Sequence, residues 1–128
     1  MPNPDLAFHL AVTDIPEAAV SVVQIKDAFL NYASSDELKL NLKELCRERM
    51  AAGMRGFAID LSRVTVMDSC GLSVLISVKK LVEGDGARIS LFGLSPMIQR
   101  LFEITKLESI FDISADESAA VAAFSVAA

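Results

Sequence analysis

The chemistry this sequence could perform is concentrated at Asp68-Ser69-Cys70-Gly71. An apolar run from Val64 to Met67 stops at Asp68, and a helical pattern starts directly after it. A serine placed there is expected to cap the helix, its oxygen facing backbone N–H groups that have no carbonyl partner of their own. The same helix end favours anions, including a phosphate carried by the serine itself. Two readings follow from the residue types. In the first, Ser69 is a cap contributing about 1 kcal/mol, and Asp68 is a second polar residue favoured by the helix dipole. In the second, Ser69 is a phosphorylation switch and the surface around it docks a partner. Ser69 is not read as a nucleophile. The one histidine, His9, lies far away in the sequence, and the surrounding residues are not Gly-x-Ser-x-Gly. A phosphate on Ser69 would have to come from a separate kinase.

The helix after the motif is predicted from about Cys70 to Glu83, ended by Gly84-Asp85-Gly86. At about 100° per residue, Val74, Leu75, Val78, Leu81 and Val82 share an arc of roughly 120°, wide enough for a core-facing stripe. Leu72 and Ile76 fall outside it, one turn apart on the polar side. Either neighbouring loops cover them, or they form an apolar patch beside Ser69 that anchors a partner. Ser73 and Ser77 would then rim that patch.

Composition narrows the function classes. With 128 residues, the chain fits one domain with a sizeable core. A formal charge of −5 argues against nucleic acid and against anionic membranes as partners. No apolar run is long enough to span a bilayer, and Met1-Pro-Asn-Pro-Asp5 carries no signal-peptide pattern, so a soluble, cytoplasmic protein is expected. The two cysteines, Cys46 and Cys70, suit neither a disulfide framework nor a CxxC metal site, and they read as reduced small hydrophobes. No metal, no cofactor and no enzymatic activity are expected.

The remaining elements must position the motif. Leu6 to Val12 reads as a strand, Thr13-Asp14-Ile15-Pro16 as a turn, and Ala19 to Ile25 as a second strand paired with the first. His9 would be a surface residue of the first strand. Lys26 to Tyr32 reads as a loop anchored by buried Phe29 and Leu30. Ser34-x-x-Glu37 has the form of a capping box, and Leu38, Leu42, Leu45 and Cys46 follow at helical spacing up to Gly53, with Leu40 facing away. Phe57–Leu61 and Ala87–Phe92 are predicted strands. Ser95-Pro96 starts a third helix whose inward face is Ile98, Leu101, Phe102 and Thr105. Ile110–Ile113 is a last strand, and an alanine-rich helix runs from Asp116 to about Val126. The order β-β-α-β-α-β-α-β-α implies an α/β fold with a mixed, largely parallel sheet and helices mainly on one face. One domain spans 1–128, with its core at about 19–126 and an N-terminal strand at 6–12.

Met67-Asp68-Ser69-Cys70-Gly71-Leu72 and the apolar helix after it resemble the Asp-Ser-Ser-Gly-Leu core motif of STAS domains, the anti-sigma factor antagonists. Leu94-Ser95-Pro96-Met97-Ile98-Gln99-Arg100-Leu101-Phe102 is similar to the family's third-helix signature. The resemblance runs from about Val20 to the C-terminus. It implies regulation by partner switching. A serine kinase that is also an anti-sigma factor phosphorylates the serine after the motif aspartate, a phosphatase reverses this, and the unphosphorylated form binds the anti-sigma factor and frees the sigma factor. Carried over, the phosphoacceptor is Ser69. Asp68, Cys70, Gly71 and Leu72 border the docking surface, with Ile76 beside them and Asn31 contributing from the early loop. Thr65 and Ser62 are secondary acceptor candidates. The family's Gly-x-Leu-Asp segment is replaced here by Ala28-Phe29-Leu30-Asn31, which implies a divergent member with a different partner. The resemblance also allows a structural role, as a STAS module in a stressosome-like complex among other STAS proteins or as an accessory domain of a transport system. A nucleotide-binding role is disfavoured by the lack of a glycine-rich phosphate loop.

Overall fold

In the computed structural model, residues 9–126 are described. Among the described residues there are seven strands: β1 (Leu10–Ile15), β2 (Val20–Ile25), β3 (Phe29–Leu30), β4 (Gly56–Asp60), β5 (Val66–Met67), β6 (Arg88–Phe92) and β7 (Asp112–Ser114). The α-helices α1 (Ser35–Ala51), α2 (Ser69–Gly84), α3 (Pro96–Ile104) and α4 (Glu117–Val126) accompany them. The main sheet has the order β1-β2-β4-β6-β7, and β3 pairs with β5 in a separate two-stranded ribbon. Only β1 and β2 are antiparallel; β2·β4, β4·β6 and β6·β7 are all parallel. The expected mixed, largely parallel α/β sheet is the observed one.

Period-two alternation along the central strands divides the core. Val23, Ile25, Phe57, Ile59, Ile89 and Leu91 join the large cluster that contains the apolar faces of α1 and α2. Val20, Val22, Ala58 and Phe92 point to the other face, where α4 contributes Ala120 and Phe124. In α1, Leu38, Leu42, Leu45 and Cys46 are buried and Leu40 is exposed, as the helical spacing required.

Several local expectations are corrected. The first strand is Leu10–Ile15, so the 6–12 assignment is shifted, and residues 6–8 lie outside the described residues. Thr13, Asp14 and Ile15 continue the strand, and the turn begins at Pro16, the first residue of a short 3-10 turn that ends at Ala19 with φ 54°. His9 lies before β1 and is half-buried, bound to Asp27 and Glu37. The capping box does not form. The Ser34 hydroxyl instead donates to the Phe29 carbonyl at 3.0 Å, closing the preceding loop, while Glu37 turns toward His9. Lys26–Tyr32 is not wholly a loop. Leu30 is buried as expected, but Phe29 is 56% exposed, because alternation in β3 turns one side chain in and the next out. Thr105 is exposed rather than inward-facing. It ends α3, and its hydroxyl donates to the Leu101 carbonyl at 2.8 Å. The last strand lies at Asp112–Ser114, two residues later than expected, with Phe111 buried just before it.

Candidate functional site

The structure reverses the roles of the two polar residues at the start of α2. Asp68 is the cap, with extended backbone, and its Oδ1 accepts from the N–H groups of Cys70 at 2.8 Å and Gly71 at 3.2 Å. A carboxylate outcompetes a hydroxyl here because the charged acceptor makes the stronger hydrogen bond at a positively polarised helix end. Ser69 is the first residue of α2 and is exposed. Its hydroxyl makes no hydrogen bond within the described residues, and its carbonyl accepts from the Ser73 hydroxyl at 3.0 Å. Ser69 is thus an accessible, unengaged hydroxyl rather than a cap.

The second oxygen of Asp68 reaches the early loop, where Oδ2 accepts from the Tyr32 N–H at 3.1 Å. The β3–β5 ribbon makes the same connection through the backbone, with Asp68 N donating to the Leu30 carbonyl at 3.0 Å. The loop that contains Asn31 therefore meets the Ser69 end of α2. Asn31 itself folds inward on its own turn. Its side-chain oxygen accepts from Ala33 N at 3.0 Å, and its carbonyl accepts from Ser34 and Ser35. Gly71 lies at the tightest contact of the junction. A Cβ there would stand 2.6 Å from the Leu30 carbonyl oxygen and 2.8 Å from Met67 Cγ.

The proposed apolar patch on α2 is not there. Leu72 is 6% exposed and belongs to the main core, and Ile76 is half-buried against it. The buried arc of α2 is wider than the stripe read from the sequence, since Leu72 joins the main core cluster and Ile76 packs against it. The ring of buried Phe111 lies under the Lys79 ammonium, 6.0 Å from its centroid, and packs edge-to-face on Phe102. Gly71 is buried, and Cys70 and Asp68 are partly exposed. Of the residues expected to border a docking surface, Asp68 and Cys70 are accessible to solvent, while Gly71 and Leu72 are buried.

The exposed apolar surface lies on the other side of Met67. Val66, Met67, Met97, Leu101 and Ile104 line a shallow groove of about 260 Å³ between β5 and α3. Met97 and Ile104 are each 68% exposed and Val66 is 42% exposed, and Phe29 stands opposite Val66 in the ribbon. Tyr32 is exposed on the adjoining loop. Side chains of this size left uncovered in one place form an exposed apolar patch on the surface. The sequence held a signal for this groove. Met97, Leu101 and Ile104 recur at i, i+4 and i+7, a second apolar stripe on α3 besides the buried Ile98 and Phe102.

The cysteines differ in environment. Burial pushes the Cys46 thiol up to about 12, whereas Cys70 is partly exposed at the start of α2. Among the described residues, no cluster of His, Cys, Asp and Glu could hold a metal ion, and no helix is long and apolar enough to cross a membrane.

Residues 12–120 match the STAS domain. The anti-sigma-B factor antagonist of Bacillus subtilis (strain 168) is 43% identical over 63 residues, which is 49% of this chain and 58% of that protein. BtrV of Bordetella bronchiseptica, described provisionally as an anti-sigma factor antagonist, is 31% identical over 98 residues, 77% of this chain and 81% of that protein. Against the first curated relatives, the match spans between 48% and 66% of their length. The crystal structure of an anti-sigma factor antagonist from Mycobacterium paratuberculosis superimposes with a TM-score of 0.76 at 22% identity, covering 91% of this chain and 92% of that one. At that identity the likeness is one of fold.

Proposed function

The chain belongs to the STAS domain family, and on that footing we propose that it acts as an anti-sigma factor antagonist whose partner binding is controlled by reversible phosphorylation of Ser69. The observation that carries this reading is the exposed, unengaged Ser69 hydroxyl, two residues beyond the wall of an exposed apolar groove. A kinase can reach that oxygen without unfolding the helix. The partners would be an anti-sigma factor with serine kinase activity and a phosphatase. The protein would regulate transcription by binding rather than by catalysis.

The docking surface in this proposal differs from the one read in the sequence. Val66, Met97 and Ile104, with Phe29 and Tyr32 beside them, replace Leu72 and Ile76, and Asp68 and Cys70 form the rim next to Ser69. Asn31 acts indirectly, by shaping the turn that presents Tyr32. A phosphate on Ser69 adds about −1.5 to −2 charges beside the groove. A partner that buries the groove would then have to desolvate a dianion, which opposes binding and makes phosphorylation a release signal.

The test combines phosphorylation and binding. The protein is incubated with the cognate anti-sigma kinase and ATP, and the phosphorylated residue is located by mass spectrometry. Binding is measured by calorimetry for wild type, Ser69→Ala, Ser69→Asp and Met97→Ser/Ile104→Ser. The expected result is phosphate on Ser69, none on Ser69→Ala, and binding weakened by about 10-fold or more in Ser69→Asp and the groove variant, equivalent to about 1.4 kcal/mol. Phosphate on Thr65 or Ser62 instead, or groove variants that bind as tightly as wild type, would refute it.

A further inference from the structure

At the opposite end of the sheet from Ser69, where β4 and β6 begin, lies a cavity of about 180 Å³ lined by Ala18, Val20, Arg55, Gly56, Arg88 and Phe124. Arg55 and Arg88 both line it, brought side by side by strand register. Arg88 is the parallel partner of Gly56, and its N–H donates to the Arg55 carbonyl at 2.9 Å. Arg88 is held in place. Its guanidinium lies 5.8 Å from the centroid of the Phe124 ring, and one Nη contacts Asp112 Oδ2 at 3.4 Å. Arg55 is different, since its guanidinium has no hydrogen-bond or ion-pair partner among the described residues. Gly56 allows the aromatic wall. A Cβ at that position would stand 3.0 Å from the Phe124 ring, so glycine lets the ring lie closer to the strand than any other residue would. The remaining walls are Gly86 and the apolar Ala18 and Val20.

We propose that this cavity binds a small organic anion, a carboxylate carried on a compact apolar body. Two arginines in the lining, one with its guanidinium over the Phe124 ring and the other with no partner among the described residues, suit a planar carboxylate that accepts two hydrogen bonds at once. The volume suits the body, because a cavity of roughly 150 Å³ lined by apolar groups accommodates benzene. The acidic balance of the chain, −5 overall, makes a paired cationic site stand out against its surroundings. Asp112 occupies one edge of Arg88 and leaves the rest of that fork and all of Arg55 to the ligand. The site is separate from the groove beside Ser69, since α2 runs from Ser69 at one end of the sheet to Gly84 at the other.

The test is an amide-resolved NMR titration of the whole chain with benzoate at constant ionic strength. Benzyl alcohol serves as a neutral probe of similar shape, and inorganic phosphate as an anion without an apolar body. Saturable benzoate shifts centred on Gly56, Gly86 and Arg88 are expected. Arg55→Gln and Arg88→Gln should each weaken binding about 10-fold, and benzyl alcohol and phosphate should each bind at least about 10-fold more weakly than benzoate. Arg55 is exposed and unpartnered, so its variant is expected to fold as wild type. Benzoate shifts that fail to saturate, or that persist unchanged in Arg55→Gln, overturn the site. Phosphate binding as tightly as benzoate overturns the assignment of the ligand class.

Discussion

Gly71→Ala and Gly84→Ala place the same methyl group at the two ends of one helix, with opposite expected signs. At Gly71 the new Cβ meets the Leu30 carbonyl oxygen at 2.6 Å, Leu30 Cβ at 2.8 Å and Met67 Cγ at 2.8 Å. The oxygen cannot yield easily, because it accepts from Asp68 N at 3.0 Å within the β3–β5 junction. The start of α2 must therefore draw away from the ribbon by roughly 0.6–0.8 Å to reach ordinary van der Waals distance. Overpacking of this kind costs about 1–3 kcal/mol, against a gain of up to about 1 kcal/mol from replacing glycine in a helix. The immovable carbonyl puts the cost near the upper figure, for a net loss of about 1–2 kcal/mol. At Gly84 nothing lies within 4 Å and φ is not positive, so only the gain remains, reduced because the site is the last helical residue. With a urea slope of about 1–3 kcal/mol per molar, the two variants should be separated by roughly 1 M in midpoint, Gly71→Ala below wild type and Gly84→Ala at or above it. The same displacement would pull Asp68 Oδ2 away from the Tyr32 N–H, so Gly71→Ala should also weaken partner binding. Equal midpoints for the two variants would refute the claim that α2 is wedged against the ribbon at Gly71.

Asp68→Ala removes acceptors from three N–H groups, those of Tyr32, Cys70 and Gly71, and should lower stability by about 1–2 kcal/mol in urea unfolding; a change indistinguishable from that of Ser69→Ala would refute its role as the cap. A disulfide reagent should modify Cys70 in the native protein, whereas Cys46, buried and with its thiol raised to about 12, should react only on unfolding; a fast second thiol in Cys70→Ser would contradict this. Burial lowers the affinity of His9 for a proton, but the Asp27 hydrogen bond and charge and the more distant Glu37 outweigh it, so its pKa lies above the ordinary 6.5. The protonated pair then stabilises the fold fully below the unfolded value and fades as pH rises through the folded one. His9→Gln should therefore lose more stability at about pH 6 than at about pH 8, by less than about 1 kcal/mol, measured as the difference in midpoints; an equal loss at both pH values would exclude the ion pair.

The sheet was legible because its central strands β2, β4 and β6 are buried on both faces and read as short apolar runs between helical patterns. The third-helix cap was also legible. Ser95 accepts from Ile98 N at 3.3 Å, with Pro96 at the first helical position. What failed was competition among polar groups for the same backbone donors. Ser34 and Ser69 both look like caps by type, yet one hydroxyl closes a loop and the other stands free, because Asp68 takes the donors at α2. Helical periodicity placed Leu72 outside the core stripe correctly for an isolated helix. It could not show that tertiary packing takes Leu72 into the main core and brings Ile76 against it. The β3–β5 ribbon was missed because two-residue strands carry no period, and with it the exposure of Phe29.

The exchange of roles between Asp68 and Ser69 changes what a phosphate on Ser69 would do. A phosphate on a capping serine would settle into the free N–H groups of the helix end, tightening the fold and neutralising part of its own charge. Here the Asp68 carboxylate already holds Cys70 N and Gly71 N, and Leu72 N is bonded to the Asp68 carbonyl at 3.1 Å. A phosphoryl group on Ser69 would find few backbone donors and a neighbouring negative charge. It would stay hydrated and point outward, beside the groove formed by Val66, Met97 and Ile104. Asp68 would then have two effects at once. It ties the early loop to α2 in a geometry that does not depend on the modification, and it repels the new charge into solvent, where a docking partner must meet it. Such a switch changes what the surface presents while leaving the fold beneath it as it was.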